Sequence, residues 1–158
     1  MLHFKTSSEF KQMADSLFNQ EKRRLQLFVY DADIQHIGGT AVPELLTKGD
    51  LDINVRVKQE DFILTIENLK KIYAVNQPEN WTNTFASFKD DNSFELPLGV
   101  QVTVINSPQD FFVKHRDTLL NNPKLVKDFN ELKNDYEGKD MDSYRTAKME
   151  FLVKNFPR

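Results

Sequence analysis

Eight consecutive residues, Asp50-Leu51-Asp52-Ile53-Asn54-Val55-Arg56-Val57, alternate polar and apolar without a break. This period of two is that of a strand, and it puts Leu51, Ile53, Val55 and Val57 on one face of a sheet and Asp50, Asp52, Asn54 and Arg56 on the other. Asp50 and Asp52 therefore share a face, with Cα atoms about 6.5 to 7 Å apart. From there both carboxylates can reach one Mg²⁺ or bracket two ions about 3.5 to 4 Å apart. Carboxylates brought to about 4 Å repel by roughly 4 kcal/mol at an intermediate dielectric, and a metal ion, Lys48 or Arg56 would offset that. The same pattern also describes an antiparallel strand with one solvated face, on which acids and Arg are ordinary surface residues.

The residues upstream favour the first reading. Ile34-Gln35-His36-Ile37 reads as a short strand entering Gly38-Gly39, where the missing Cβ atoms permit positive φ and let backbone N–H groups approach an anion. Thr40 and Pro43 predict a short helix over Pro43 to Thr47, whose N-terminal N–H groups suit a phosphate, with Lys48-Gly49 closing it. In order, these are a phosphate-cradling turn and then a metal-binding strand.

His36, Gly38, Gly39, Thr40, Val42, Pro43, Lys48 and Asp52, with Ser107-Pro108, Arg116-Asp117, Leu132-Lys133 and Tyr144-x-x-Ala147-Lys148-x-x-Phe151, make a pattern spread over most of the chain. It resembles the GrpB family, which belongs to the nucleotidyltransferase superfamily typified by polymerase beta. The resemblance implies an α+β fold, a nucleotidyltransferase-like mixed β-sheet packed by helices with a C-terminal helical segment. It also implies that Asp50 and Asp52 hold Mg²⁺ against a nucleoside triphosphate while Gly38, Gly39, Thr40 and Lys48 hold its phosphates. Gly49 and Asp50 depart from the Pro and aliphatic residues of many family members, and bring the chain closer to the wider superfamily pattern.

That superfamily takes a third carboxylate from a later strand. The strand Val100 to Ile105 offers Gln101 and Thr103 on its polar side, so Glu95 is the candidate acid, with a surface role as its other reading. Arg116, Lys133 and Lys148 would supply positive charge to a transferring phosphoryl group from a helical lid, or lie on solvated helix faces. His36 flanks the turn, either as a ligand or as a hydrogen-bonded structural histidine. The leading expectation is transfer of a nucleotidyl group to an unknown acceptor. The others are a nucleotide-binding or protein-interaction module that keeps the fold without catalysis, and a scaffold in which turn and acids are incidental.

Composition narrows the partners. A chain of 158 residues with 39% hydrophobic content and 13 Phe can bury about two-thirds of its unfolded surface, which predicts one domain over 1–158, with a sheet core over about 1–106 and helices over about 107–156. A net charge of -3 argues against a non-specific grip on nucleic acid. Without cysteine there is no disulfide, thiol nucleophile or Cys-based zinc site. No run reaches membrane-spanning length and the start lacks a signal-peptide core, so cytoplasmic residence with no membrane partner is expected.

The remaining periodicities predict a helix over about Ser7 to Phe28 with a Thr6/Glu9 capping box, and a helix over about Gln59 to Lys71 that crosses to a strand near Tyr73 to Val75. Strands over Thr82 to Lys89 and Phe94 to Leu96 join through an Asp90-Asp91-Asn92 turn. Three closing helices are expected to open at Ser107-Pro108, Asn122-Pro123 and Asp142-Ser143.

Overall fold

The computed structural model describes residues 2–156. In chain order, β1 (Lys5–Thr6) leads to α1 (Lys11–Leu25), β2 (Asp33–Ile37), β3 (Leu46–Thr47), β4 (Leu51–Val57), α2 (Phe62–Leu69), β5 (Ala74–Val75), β6 (Phe85–Asp90) and β7 (Leu98–Val104). Three helices follow: α3 (Phe112–Leu120), α4 (Pro123–Asp135) and α5 (Met141–Asn155). Five strands form one mixed sheet in the order β2-β4-β7-β6-β5, in which β4 and β7 run parallel and every other pair is antiparallel. β1 and β3 pair separately.

The alternation of β4 sets the layers. Leu51, Ile53, Val55 and Val57 are fully buried, and their register partners Leu98, Val100, Val102 and Val104 extend the apolar face across β7. Ala14, Leu17 and Leu25 of α1 and Phe62, Ile66 and Leu69 of α2 close this side. The helix α2 also makes the expected crossover from β4 to β5.

The polar face is not solvated. Asn54 and Thr103 are wholly buried, and Asn54 Nδ2 donates to Gln101 O (3.0 Å) and Thr103 Oγ1 (3.0 Å). Arg56, a candidate counter-charge for the aspartate pair, is instead held by Asp110 (2.8 and 2.7 Å) and Asp33 (2.6 Å). The covering layer comes from the C-terminal segment. A second apolar cluster there joins Val42 and Leu45 to Leu119, Leu125, Val126, Phe129 and Phe156.

Several local expectations change for identifiable reasons. No helix forms over Pro43 to Thr47: Gly39–Ala41 is a single 3-10 turn, Glu44 takes φ 66°, which no helix accommodates, and Leu46–Thr47 pairs with β1. The Thr6 side chain turns to the Ser8 hydroxyl instead of capping, Ser7–Glu9 is a 3-10 turn, and α1 stops at Leu25. Asp90 Oδ1 accepts from Asn92 N and Ser93 N, and the chain then runs irregularly to Leu98, so Phe94 to Leu96 is not a strand. Gly99 lies inside β7. The helix expected at Ser107 begins only at Phe112, while Asn122 caps α4 as expected by accepting from Leu125 N. The cap of α5 is Asp140, whose carboxylate accepts from Ser143 N.

Candidate functional site

Between the polar face of the sheet and the C-terminal helices lies a cleft of about 290 Å³, lined by Gly38, Gly39, Asp52, Gln101, Arg116, Lys133 and Lys148 with an apolar wall that includes Phe111, Phe112 and Phe156. Asp52 is the carboxylate it contains among the described residues. Pairing with Ile37 and Gly99 fixes the position of Asp52. The absence of side chains at Gly38 and Gly99 then makes room for its carboxylate. A Cβ on Gly38 would sit 2.5 Å from Asp52 Oδ2, and one on Gly99 would sit 2.7 Å from Oδ1. Gly38 also has φ 77°, so glycine is required there twice over.

Burial pushes the Asp52 carboxyl up to about 7, the Asp50 charge adds to this, and Lys148 and Lys48 partly offset it. Asp50 precedes β4 and does not line the cleft, so the pair is coupled by charge rather than presented side by side on one strand. Lys48 is likewise exposed and acts at a distance. Lys148 projects from α5 into the cleft. Its ammonium is lowered by desolvation, with Asp52 opposing.

Thr40 is buried and structural: its hydroxyl donates to Asp50 O (3.1 Å) and lies 2.9 Å from His36 Nε2, tying the glycine turn to the start of β4. His36 pairs in register with Ile53 and so faces away from the cleft, stacked on Phe18 (5.4 Å between centroids). Burial lowers His36 to about 4 despite Asp15 nearby, leaving it neutral. Arg116 reaches the cleft but is committed, donating to Gln35 Oε1 (2.9 Å), His36 O (3.0 Å) and Asp117 Oδ1. Lys133 is buried, donates to Leu46 O and lies over the Phe129 ring (4.1 Å), with burial holding it well below the usual lysine range. Glu95 is exposed in a depression against Gln12, Met13 and Ser16 of α1, apart from Asp52. Gln101 lines the cleft beside Asp52.

Sequence reasoning missed Gly99, whose signal is its place in a Leu-Gly-Val alternation beside an acid strand. It also missed the aromatic wall, announced only by the Phe111-Phe112 doublet, and Asp110, which sits too far from Arg56 in sequence to be paired with it by eye.

No group of three or more His, Asp or Glu among the described residues is placed to share an ion. The cleft nonetheless offers a cation one carboxylate in a glycine cradle and a second negative charge nearby, beside the Gln101 amide, whose buried Oε1 has no donor among the described residues. Such a set suits Mg²⁺, which takes few protein ligands and completes its shell with water and phosphate oxygens.

The fold is nucleotidyltransferase-like. It matches the Cid1 poly(U) polymerase in a mutant bound to MgATP with a TM-score of 0.55 at 14% identity, over 82% of this chain and 42% of that one. The complex of Cid1 with its short product ApU gives 0.54 at 15% identity, over 82% and 40%. The conserved protein GrpB from Enterococcus faecalis matches with a TM-score of 0.68 at 19% identity, over 91% of this chain and 95% of that one. A UPF0157 protein of Vibrio cholerae is 30% identical over 97% of this chain and 81% of its own length. Residues 8–158 match the GrpB protein family, and the chain belongs to it.

Proposed function

We propose that the cleft takes a nucleoside triphosphate with Mg²⁺ and passes its nucleotidyl group to a hydroxyl on an acceptor not yet assigned. The observation that carries this reading is the Asp52 carboxylate, held between two positions with no Cβ at the cleft and kept at about 7 by burial and the Asp50 charge. A protein lifts a carboxylate this far at a stability cost, which a cation would remove. Asp52, with Asp50 behind it, would hold Mg²⁺, which when bound neutralises phosphate charge. The Gly38 and Gly39 backbone would face the phosphates, with Thr40 fixing the turn. Lys148 and Lys48 would balance the remaining negative charge, and Arg116 would hold α3 against the turn. Cytoplasmic residence suits a protein that draws on a nucleotide pool, and the net charge of -3 disfavours a broad nucleic-acid partner.

A second reading, nucleotide binding without transfer, is favoured by one observation: Gln101 offers a neutral amide where a carboxylate could act as base, and Glu95 lies elsewhere. Two measurements separate the readings. A triphosphate with Mg²⁺ at about 100 times its Kd stabilises the native state by roughly 2.7 kcal/mol, raising Tm by about 5 to 10 °C. Asp52→Asn should abolish the Mg²⁺-dependent part of that rise. Pyrophosphate release on adding cell extract then marks transfer, and a Tm rise without release marks binding alone. No rise with any of the four triphosphates overturns both.

A further inference from the structure

Two carbonyl oxygens on neighbouring strands, Asn54 Oδ1 on β4 and Gln101 Oε1 on β7, are buried without a hydrogen-bond donor among the described residues. These residues are register partners on the polar face, and Asn54 Nδ2 already donates to the Gln101 backbone. A buried acceptor without a donor is costly, and two on one register pair call for a partner beyond the chain's own hydrogen bonds. The Gln101 amide nitrogen, meanwhile, is on the Asp52 side. It lies 3.5 Å from the point a Gly99 Cβ would occupy, a point 2.7 Å from Asp52 Oδ1. Gln101 thus aims its donor towards the carboxylate and leaves its acceptor idle.

A half-turn of the amide exchanges these two atoms, bringing Oε1 to the Asp52 side, where the glycine at position 99 leaves space between the two groups, and putting Nε2 where Oε1 now lies. We propose that Gln101 is a ligand for the divalent cation held by Asp52, its amide turning to present Oε1 to the ion while Asn54 takes up Nε2. This rests on the proposed function for its site and goes beyond it by assigning the neutral amide a coordinating role and Asn54 the role of a positioning residue. A ligand set with one carboxylate and one amide at the ion carries little negative charge, so the protein alone should hold the cation weakly and phosphate oxygens should strengthen the hold.

The test is Mn²⁺ binding to the full chain, with free Mn²⁺ counted by electron paramagnetic resonance and the fold of each variant checked by its Tm without metal. Gln101→Leu keeps the volume and removes the oxygen, and should raise the Mn²⁺ Kd about tenfold or more. Gln101→Glu adds a charge at the same position and should lower it. Asp52→Asn should abolish binding. If Gln101→Leu binds Mn²⁺ within twofold of the parent while Asp52→Asn does not bind, the Gln101 assignment falls and the Asp52 site stands. If Gln101→Leu does not fold, unchanged or weaker binding by Gln101→Glu overturns the assignment. A parent chain that binds no Mn²⁺ overturns both.

Discussion

Burial acts on two ionisable side chains on opposite faces of the same strand pair, lifting Asp52 to about 7 and lowering His36 to about 4. Between about pH 4.5 and 6.5 the folded chain therefore keeps a proton on Asp52 that the unfolded chain has released, and lacks one on His36 that the unfolded chain has bound. The Asp52 contribution is present at low pH and is lost as pH rises through about 7. The His36 contribution is present above its unfolded value and is lost as pH falls towards about 4. The two nearly cancel, so each single variant should expose the other. Asp52→Asn should become more stable as pH rises over this window, and His36→Phe less stable, each by up to about 1.4 kcal/mol per pH unit. Thermal denaturation across pH checks this, and a flat profile for Asp52→Asn would refute the assignment. That Asp52 faces the polar side of the sheet was legible in sequence, because the alternation of residues 50–57 sets its face. That Asp50 stands back from the cleft was not, because the strand begins one residue later and no periodicity marks a first paired residue to that accuracy.

Among elements, β4 and the α4 cap could be read directly, since each follows from neighbours within a few residues. The polar face could not. Asn54 and Arg56 look like solvated residues until partners 47 to 54 positions away close over them. The turn after Gly39 failed for a local reason, the positive φ of Glu44, which no residue type announces. Asp110 shows what the long-range partners contribute. Burial would raise its carboxyl, but the Arg56 guanidinium and the Asn106 N–H hold it below the usual range. Asp110→Asn leaves Arg56 with Asp33 as its one charged partner among the described residues, and breaking a buried pair costs about 3 to 5 kcal/mol. Denaturant unfolding should register a loss of this order, while the Mn²⁺ binding proposed at Asp52 should be unchanged in the folded fraction. A loss below about 1 kcal/mol would mean that the clamp contributes little.

Across the whole molecule, one sheet carries two unlike layers, apolar helices on one side and a partly polar contact with the C-terminal helices on the other. Lys133 and Asn130 fasten α4 to β3 through the Leu46 backbone, and Asn130 also reaches Glu44 O. Because burial holds the Lys133 ammonium well below its usual value, the unfolded chain binds the proton more readily, and stability from this group rises with pH up to about 10.5. Lys133→Met should remove that alkaline gain, measured as Tm as pH rises towards 10.5, and should also lose the hydrogen bond to Leu46 O that holds α4 to β3. The parallel pairing of β4 with β7 has a different consequence, in time. Asp52 and Gln101 sit on strands joined through α2, β5 and β6, so this pairing closes the longest loop in the sheet and is the step most delayed by chain entropy. A nascent or partly melted chain can already own the β2–β4 hairpin and its glycine bend while the cleft beside Asp52 still lacks its β7 side. The cleft is then closed only when the last strand and the helices after it are in place, and an intact cleft reports that folding is complete.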